Sequence, residues 1–245
     1  AQIEAIGNRA AGAFGGFALI NGVPGTAWAG FGMNPVATML VMLPLAAGTG
    51  YLLQRGVLNG TLGADPMPSL VVTFGLSIII QNLLLEGFSA DTRSINALGV
   101  ETQSIPLGES INIGVLPLII FILALAATFL MEWLFRRTHL GRAFRAASDD
   151  IDAAQLMGLD HRHVYALATA IAFSLIAVAG MLQGLRTVFA PSDGPGLLLY
   201  AFEAVIIGGL GSFWGSFSGG ILLGVSQSIG FRIDPGWGIL IGHLV

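Results

Sequence analysis

The chain has no cysteine and no lysine among its 245 residues, and only 10% of them are charged. Without cysteine there can be no disulfide, thiolate metal site or cysteine nucleophile. Without lysine there can be no G-x-x-x-x-G-K-[ST] phosphate loop and no Schiff-base chemistry within this chain. All ten basic residues are arginine. Soluble domains carry about 25% charged residues, and a soluble fold so poor in charge could not cover its own surface. The net charge of −4 decides little, because placement matters more than the sum, and nothing points to nucleic acid.

What is present in place of charge is apolar surface: 54% of residues are hydrophobic and the mean hydropathy is +0.81. It falls in blocks, Val36 to Leu53, Leu70 to Leu85, Val115 to Leu134 and Val164 to Leu185, with a glycine-broken stretch from Leu197 to Ile229. Each unbroken block approaches the roughly 20 residues that a helix needs to cross about 30 Å of hydrocarbon. Barrel strands would alternate over about ten residues, and these blocks do not. The expected class is an all-α, polytopic transmembrane bundle with broken or short helices, forming one transmembrane domain over residues 1–245. The start at Ala1 and the ending at Gly238-Ile-Leu-Ile-Gly-His-Leu-Val245, which reads as half a span, suggest trimming at both ends.

Arginine sets the orientation. Phe135 to His163 holds Arg136, Arg137, Arg142, Arg145 and Arg162, whereas Glu86 to Gly114 holds Arg93 alone beside four acids. Arginine excess marks the cytoplasmic side, so residues 135–163 form a cytoplasmic loop and residues 86–114 face outward. Alternation then puts Gln54 to Ser69 inside and Arg186 to Gly196 outside. Between Leu197 and Ile229, the run Gly208-Gly-Leu-Gly-Ser-Phe-Trp-Gly215 suits a turn between two short helices. Gly211, Gly215 and Gly219 then recur every four residues, a spacing that lets helices approach closely in lipid. The expectation is a broken or re-entrant pair, with Gly208, Gly209, Gly211, Gly215 and Gly219 serving turn and packing, buried inside the bundle.

The cytoplasmic loop carries the most informative run, Gly141-Arg-Ala-Phe-Arg-Ala-Ala-Ser-Asp-Asp-Ile-Asp-Ala-Ala-Gln-Leu-Met-Gly158. Ser148 reads as an N-cap, with Asp149 and Asp150 complementing the positive end of a helix, and Gly158 as a C-terminal stop. That spacing predicts a helix of about nine residues, roughly 13 Å long, with Ile151, Ala154, Leu156 and Met157 as apolar contacts. A helix so short must dock on something, either its own bundle or a partner.

Asp152-Ala-Ala-x-x-x-Gly158 resembles the E-A-A-x-x-x-G motif of bacterial ABC importer permeases, whose short helix sits in a groove of the ATPase. Gly141-Arg-Ala-Phe-Arg-Ala, Gly208-Gly-Leu-Gly-Ser-Phe-Trp-Gly215 and Thr73-Phe-Gly-Leu-Ser-Ile-Ile-Ile-Gln-Asn82 are similar to the branched-chain amino-acid permease family in particular. The resemblance covers about Asn34 to Leu240, with Asp152 in place of the usual glutamate and no recognisable opening span or arginine-proline tail. It implies a multi-pass subunit of the bacterial inner membrane with a second, similar permease, two ABC ATPase subunits and a periplasmic solute-binding protein. It also implies that Asp152, Ala153, Ala154 and Gly158, with Arg142 and Arg145 before them, couple to the ATPase. No cofactor is expected on this chain, ATP and magnesium belonging to the partner ATPases.

Thr73, Ser77 and Gln81 recur every four residues on one helix face, with Asn82 beside it. They either line a solute path or make interhelical hydrogen bonds worth about 0.6 kcal/mol on average. Glu203, set between Phe202 and Ala204, is either a costly intramembrane charge with a function or an interfacial residue. His161 and His163, two apart, point different ways on a helix and read as solvated residues. Gly209-x-Gly211 follows no soluble strand, so it is no dinucleotide loop. Ser212 with His243 lacks the G-x-S-G run of an intramembrane protease. The chain thus reads as a non-enzymatic permease for a small polar solute. A passive channel or an ion-coupled carrier working without an ATPase is the alternative.

Overall fold

The structure is a computed structural model that describes residues 13–14, 16–18, 20–21, 35–61, 67–95, 103–106 and 112–244. Four helices long and apolar enough to cross a membrane stand where the blocks lie. They are α1 (Pro35–Gly56), α2 (Met67–Phe88), α3 (Val115–Arg137) and, after two short helices α4 (His139–Asp149) and α5 (Ile151–Leu156), α6 (His161–Arg186). Then follow α7 (Gly194–Gly208), α8 (Phe213–Ile233) and α9 (Pro235–Leu244). A two-stranded antiparallel ribbon, β1 (Ser104–Pro106) and β2 (Asn112–Gly114), leads into α3.

Helix α6 is the axis of the bundle. It packs along α1 and also touches α3, α4 and α5, and it buries Val164, Ala166, Ala170, Phe173, Ala177, Met181 and Leu185. Lipid is as apolar as leucine, so close packing rather than water exclusion holds such helices together; the alanines of α6 permit that approach. At one end of α6, Met181 and Leu185 join Phe14, Phe88, Ile95 and Phe189 in the main buried cluster. Phe14, in the described part of residues 13–21, lies 4.7 Å from Phe88 and 4.9 Å from Phe189, ring to ring.

The connecting segments sort into two ends. Arg93 and Phe189 exchange backbone hydrogen bonds of 2.9 and 2.8 Å, and Ile95 N donates to Gly184 O, joining residues 86–114 to 186–196. At the opposite end Asn59 Nδ2 donates to the Arg162 carbonyl and Tyr51 OH lies 2.9 Å from His163 Nδ1. This is the pairing that alternation of four spans requires, and the end that carries residues 135–163 is the arginine-rich one.

Helices α7 and α8 form the expected broken pair, turning by 119° across residues 209–212. Gly209 and Gly211 adopt φ of +86° and +93°, backbone that side chains resist. Beyond the turn, a Cβ on Gly208 or Gly215 would strike the other's backbone, and one on Gly219 would strike the carbonyl of Ala204. Among the described residues the pair is not enclosed by other helices, whereas the sequence reading put it inside the bundle. Its small-residue stripe is spent on its own crossing, and it leans on α3 through rings, Phe213 to Phe135 at 5.0 Å and Phe217 to Phe121 at 5.8 Å. Leu199, Phe202, Ile206, Ile221 and Leu222 remain exposed.

Candidate functional site

Three places collect the residues singled out by the sequence. The first is the hairpin of α4 and α5. Thr138, not Ser148, begins the helical run, its hydroxyl accepting from Gly141 N at 3.2 Å. Phe144 and Ala147 then bury beside Val164 of α6, which carries α4 through Ser148 to Asp149. Asp150 ends it and caps the next helix, Oδ1 accepting from Asp152 N and Ala153 N at 3.0 Å each. So α5 has six residues rather than nine, about 9 Å at 1.5 Å per residue.

Gly158 closes α5 with φ of +83°, and nothing stands within 4 Å of where its Cβ would be. Conformation rather than space selects glycine there. Asp152 and Ala153 are exposed, but Ala154 is 4% exposed and turned onto its own protein. Leu156 and Met157, at 89% and 84%, carry the outward apolar surface. Arg145 donates to the Phe135 carbonyl at the end of α3, and Arg142 lies against His139 Nδ1 at 2.6 Å, so both arginines brace the corner between α3 and α4.

The second place is a cavity of about 260 Å³ between α1, α2 and α6, near their arginine-rich ends. Thr73 lines it, 4% exposed, together with Gln54, Ser69, Tyr165 and Thr169. Ser77 and Gln81 lie further along α2, partly exposed and outside this lining, and Asn82 Nδ2 is spent on the Ile78 carbonyl. The four-residue face of α2 therefore contributes one residue, Thr73, to this cavity. Gln54, Tyr165 and Thr169 escaped the sequence reading. The available signal was Gln54 closing the apolar run of α1 and Thr169 within that of α6, but no spacing links them before the helices meet.

The third place joins α7 to α9. Glu203 Oε1 lies 2.5 Å from His243 Nδ1, and Tyr200 stacks on that imidazole with ring centroids 5.1 Å apart. Glu203 Oε2 is shielded and has no hydrogen-bond partner among the described residues. The sequence placed Glu203 as a lone acid. No hydrogen bond or cavity lining among the described residues connects it with Thr73, so the five suggested path residues do not form one site.

His163 is held by Tyr51, and His161 packs edge-on against Tyr165 at 6.2 Å. Among the described residues no three His, Cys, Asp or Glu side chains gather to hold a metal. Ser212 caps α8 through Gly215 N at 3.0 Å.

Comparison with known proteins gives this geometry its context. The family model described as the permease component of branched-chain amino acid transport systems matches residues 7–237. The chain is 29% identical over 200 residues to the high-affinity branched-chain amino acid transport system permease protein BraD of Pseudomonas aeruginosa, covering 80% of this chain and 64% of that protein. It is 27% identical over 190 residues to LivH of Escherichia coli K12, a permease protein of the same kind, covering 76% of this chain and 61% of that one. It is also 28% identical over 235 residues to the fructose import permease protein FrcC of Rhizobium meliloti, covering 88% and 62%. The chain thus spans about three fifths of the length of these curated relatives. No solved structure matches it. With four helices among the described residues long and apolar enough to cross a membrane, and a family match over nearly its whole length, the chain is a multi-pass membrane protein that belongs to the branched-chain amino acid transport system permease family.

Proposed function

We propose that the full-length protein is the membrane-spanning permease of an ATP-driven importer in the bacterial inner membrane. Its solute is small and polar, a branched-chain or other amino acid or a related amide, urea or carboxylate. One observation carries this reading. Helix α5 is capped by Asp150, stopped by Gly158, and presents Leu156 and Met157 almost wholly uncovered. A six-residue helix with two large apolar side chains outward is unstable alone and suits the groove of a partner. Residues 135–163 serve as the coupling loop, in which Asp152, Ala153 and Gly158 shape the docking element, Ala154 anchors it, and Arg142 and Arg145 fix its base.

The partners are two ABC ATPase subunits, which supply ATP and magnesium, a second homologous permease, and a periplasmic solute-binding protein. Exposed Val71, Phe74, Ile78, Ile79 and Leu83 on α2 leave a broad apolar face for lipid or the second permease. This chain performs no covalent chemistry. Thr73, Ser77, Gln81, Asn82 and Glu203 are the proposed polar contacts along the solute path.

A second reading, an ion-coupled carrier, has the Glu203–His243 pair in its favour, since paired ionisable groups within membranes often relay protons. Uptake of radiolabelled leucine by the assembled system in proteoliposomes separates the two. The importer reading expects uptake that needs ATP on the α5 side, stops with vanadate, and persists when ionophores collapse the ion gradients. Uptake driven by a proton or sodium gradient without ATP would establish the carrier instead.

A further inference from the structure

A long apolar groove runs between α3, α6 and α8. It consists of two adjoining cavities of about 510 and 490 Å³ that share Ile120, Ala124, Arg186, Ser216 and Phe217. Along α3 its lining reaches from Pro117 to Met131, about 21 Å at 1.5 Å per residue. One leaflet of hydrocarbon is about 15 Å thick, half of the roughly 30 Å core. The groove is therefore long enough for an acyl chain and far longer than a small polar solute. Phe121 and Ile221 remain exposed along it, so its flank is open.

One end of the groove is charged. Arg186, the last residue of α6, lines both apolar cavities and also a third, more polar cavity of about 330 Å³, with Ser94, Gly184 and Thr187. A long cationic side chain can lay its methylenes on apolar surface and keep its charge at a polar boundary, and Arg186 borders both. Among the described residues its guanidinium has no hydrogen bond or ion pair, and none of the three linings contains an acid. Thr187 Oγ1 is committed to Gln183, accepting from Nε2 at 3.0 Å and donating to the carbonyl at 3.2 Å. The positive charge is thus uncompensated where the groove meets the polar cavity.

An apolar lane of leaflet length that begins at such an arginine complements an amphiphile with an anionic head. We infer that the groove binds one anionic phospholipid, with an acyl chain between α3, α6 and α8 and the phosphate on Arg186. A guanidinium presents paired N–H donors in the geometry that phosphate oxygens accept. A zwitterionic lipid offers the same phosphate but brings a cation with it, which opposes Arg186. A small amino acid could set its carboxylate on Arg186 but would leave most of the lane empty. Arg186 stands at the end of α6 opposite the arginine-rich loop, so the lipid belongs to the leaflet on that side. The inference goes beyond the transport reading and does not rest on it.

The test is photocrosslinking of the full-length chain with its partners in phosphatidylcholine vesicles. A small fraction of the lipid is phosphatidylglycerol or phosphatidylcholine with a diazirine in one acyl chain, and adducts are mapped by residue. Ala127 lines the groove, whereas Ala126, one step along the same helix, is exposed and does not. At Ala127 the phosphatidylglycerol probe should give about fivefold more adduct than the phosphatidylcholine probe, the order of preference that one arginine gives an anionic lipid. At Ala126 the two yields should be equal. Arg186→Gln should bring the ratio at Ala127 down to that at Ala126, and Arg186→Lys should keep most of it. Equal yields from the two probes at Ala127 in the unaltered chain would mean ordinary lipid contact and would overturn the proposal, whether or not the variants fold. No adduct at Ala127 would overturn it too, because protein would then fill the groove. So would displacement of the adduct by leucine, which would assign Arg186 to a solute, or an unchanged ratio in Arg186→Gln.

Discussion

Glu203 of α7 and His243 of α9 meet at 2.5 Å, Oε1 to Nδ1, and bind together two helices that are otherwise apolar. With Tyr200 stacked on the imidazole, the contact ties the outer helix α9 back across the α7–α8 crossing. Polar ties between membrane helices average about 0.6 kcal/mol and reach about 1.7. A double-mutant cycle of Glu203→Gln and His243→Ala should accordingly give a coupling free energy of about 0.5–2 kcal/mol in reversible unfolding. Additive effects would mean that the two side chains are merely adjacent. If Glu203 also lies on the solute path, Glu203→Gln should lower uptake without reducing assembled complex.

The α7–α8 crossing offers a paired test on neighbouring glycines. A Cβ on Gly219 would collide with the Ala204 carbonyl, whereas one on Gly220 meets nothing within 4 Å. Overpacking costs about 1–3 kcal/mol. Gly219→Ala should lower the thermal midpoint of the detergent-solubilised protein and its resistance to protease, and Gly220→Ala should leave both unchanged. Equal tolerance at the two positions would show that the crossing is looser than described.

Much of this arrangement was legible in the sequence because each feature has a local cause. The four spans followed from unbroken apolar length, the two ends from arginine placement, and the break at residues 209–212 from its glycines. Gly158 was legible because a positive φ is a property of one residue. What stayed hidden depends on helices meeting. Thr73 and Thr169 are 96 positions apart and share a cavity only because α1 and α2 both flank α6. His243 finds Glu203 only after two reversals of the chain. The cap was misplaced by two residues because Ser148, Asp149 and Asp150 are all good caps. Burial of Phe144 and Ala147, a tertiary event, extended α4 past the first two. That Ala154 turns onto its own protein while Leu156 and Met157 turn outward stayed open, because helical spacing gives a face but not which way that face turns.

Gly158 should be intolerant of a β-branched side chain. At φ of +83°, valine carries a left-handed penalty of roughly 1–2 kcal/mol, paid in a helix too short to resist it. Gly158→Val should abolish uptake while insertion in the membrane and protease resistance of the spans persist. Gly158→Asn, which tolerates this conformation better, should retain part of the activity. Normal transport by the valine variant would remove α5 from the coupling role.

The central claim is that α5 docks on an ATPase through the surface it leaves uncovered. The most direct measurement is cysteine cross-linking in native membranes that hold the full-length chain, with any thiol outside these 245 cysteine-free residues replaced, and its partners. Met157 and Leu156 are open and Ala154 is closed, so the pattern across three neighbouring positions is the readout. A short bifunctional reagent should join Leu156→Cys and Met157→Cys to the nucleotide-binding subunit, with a yield that changes on adding ATP. Ala154→Cys should give a yield at least tenfold lower. Cross-links confined to this chain at all three positions would contradict the account and show that α5 packs only on its own bundle.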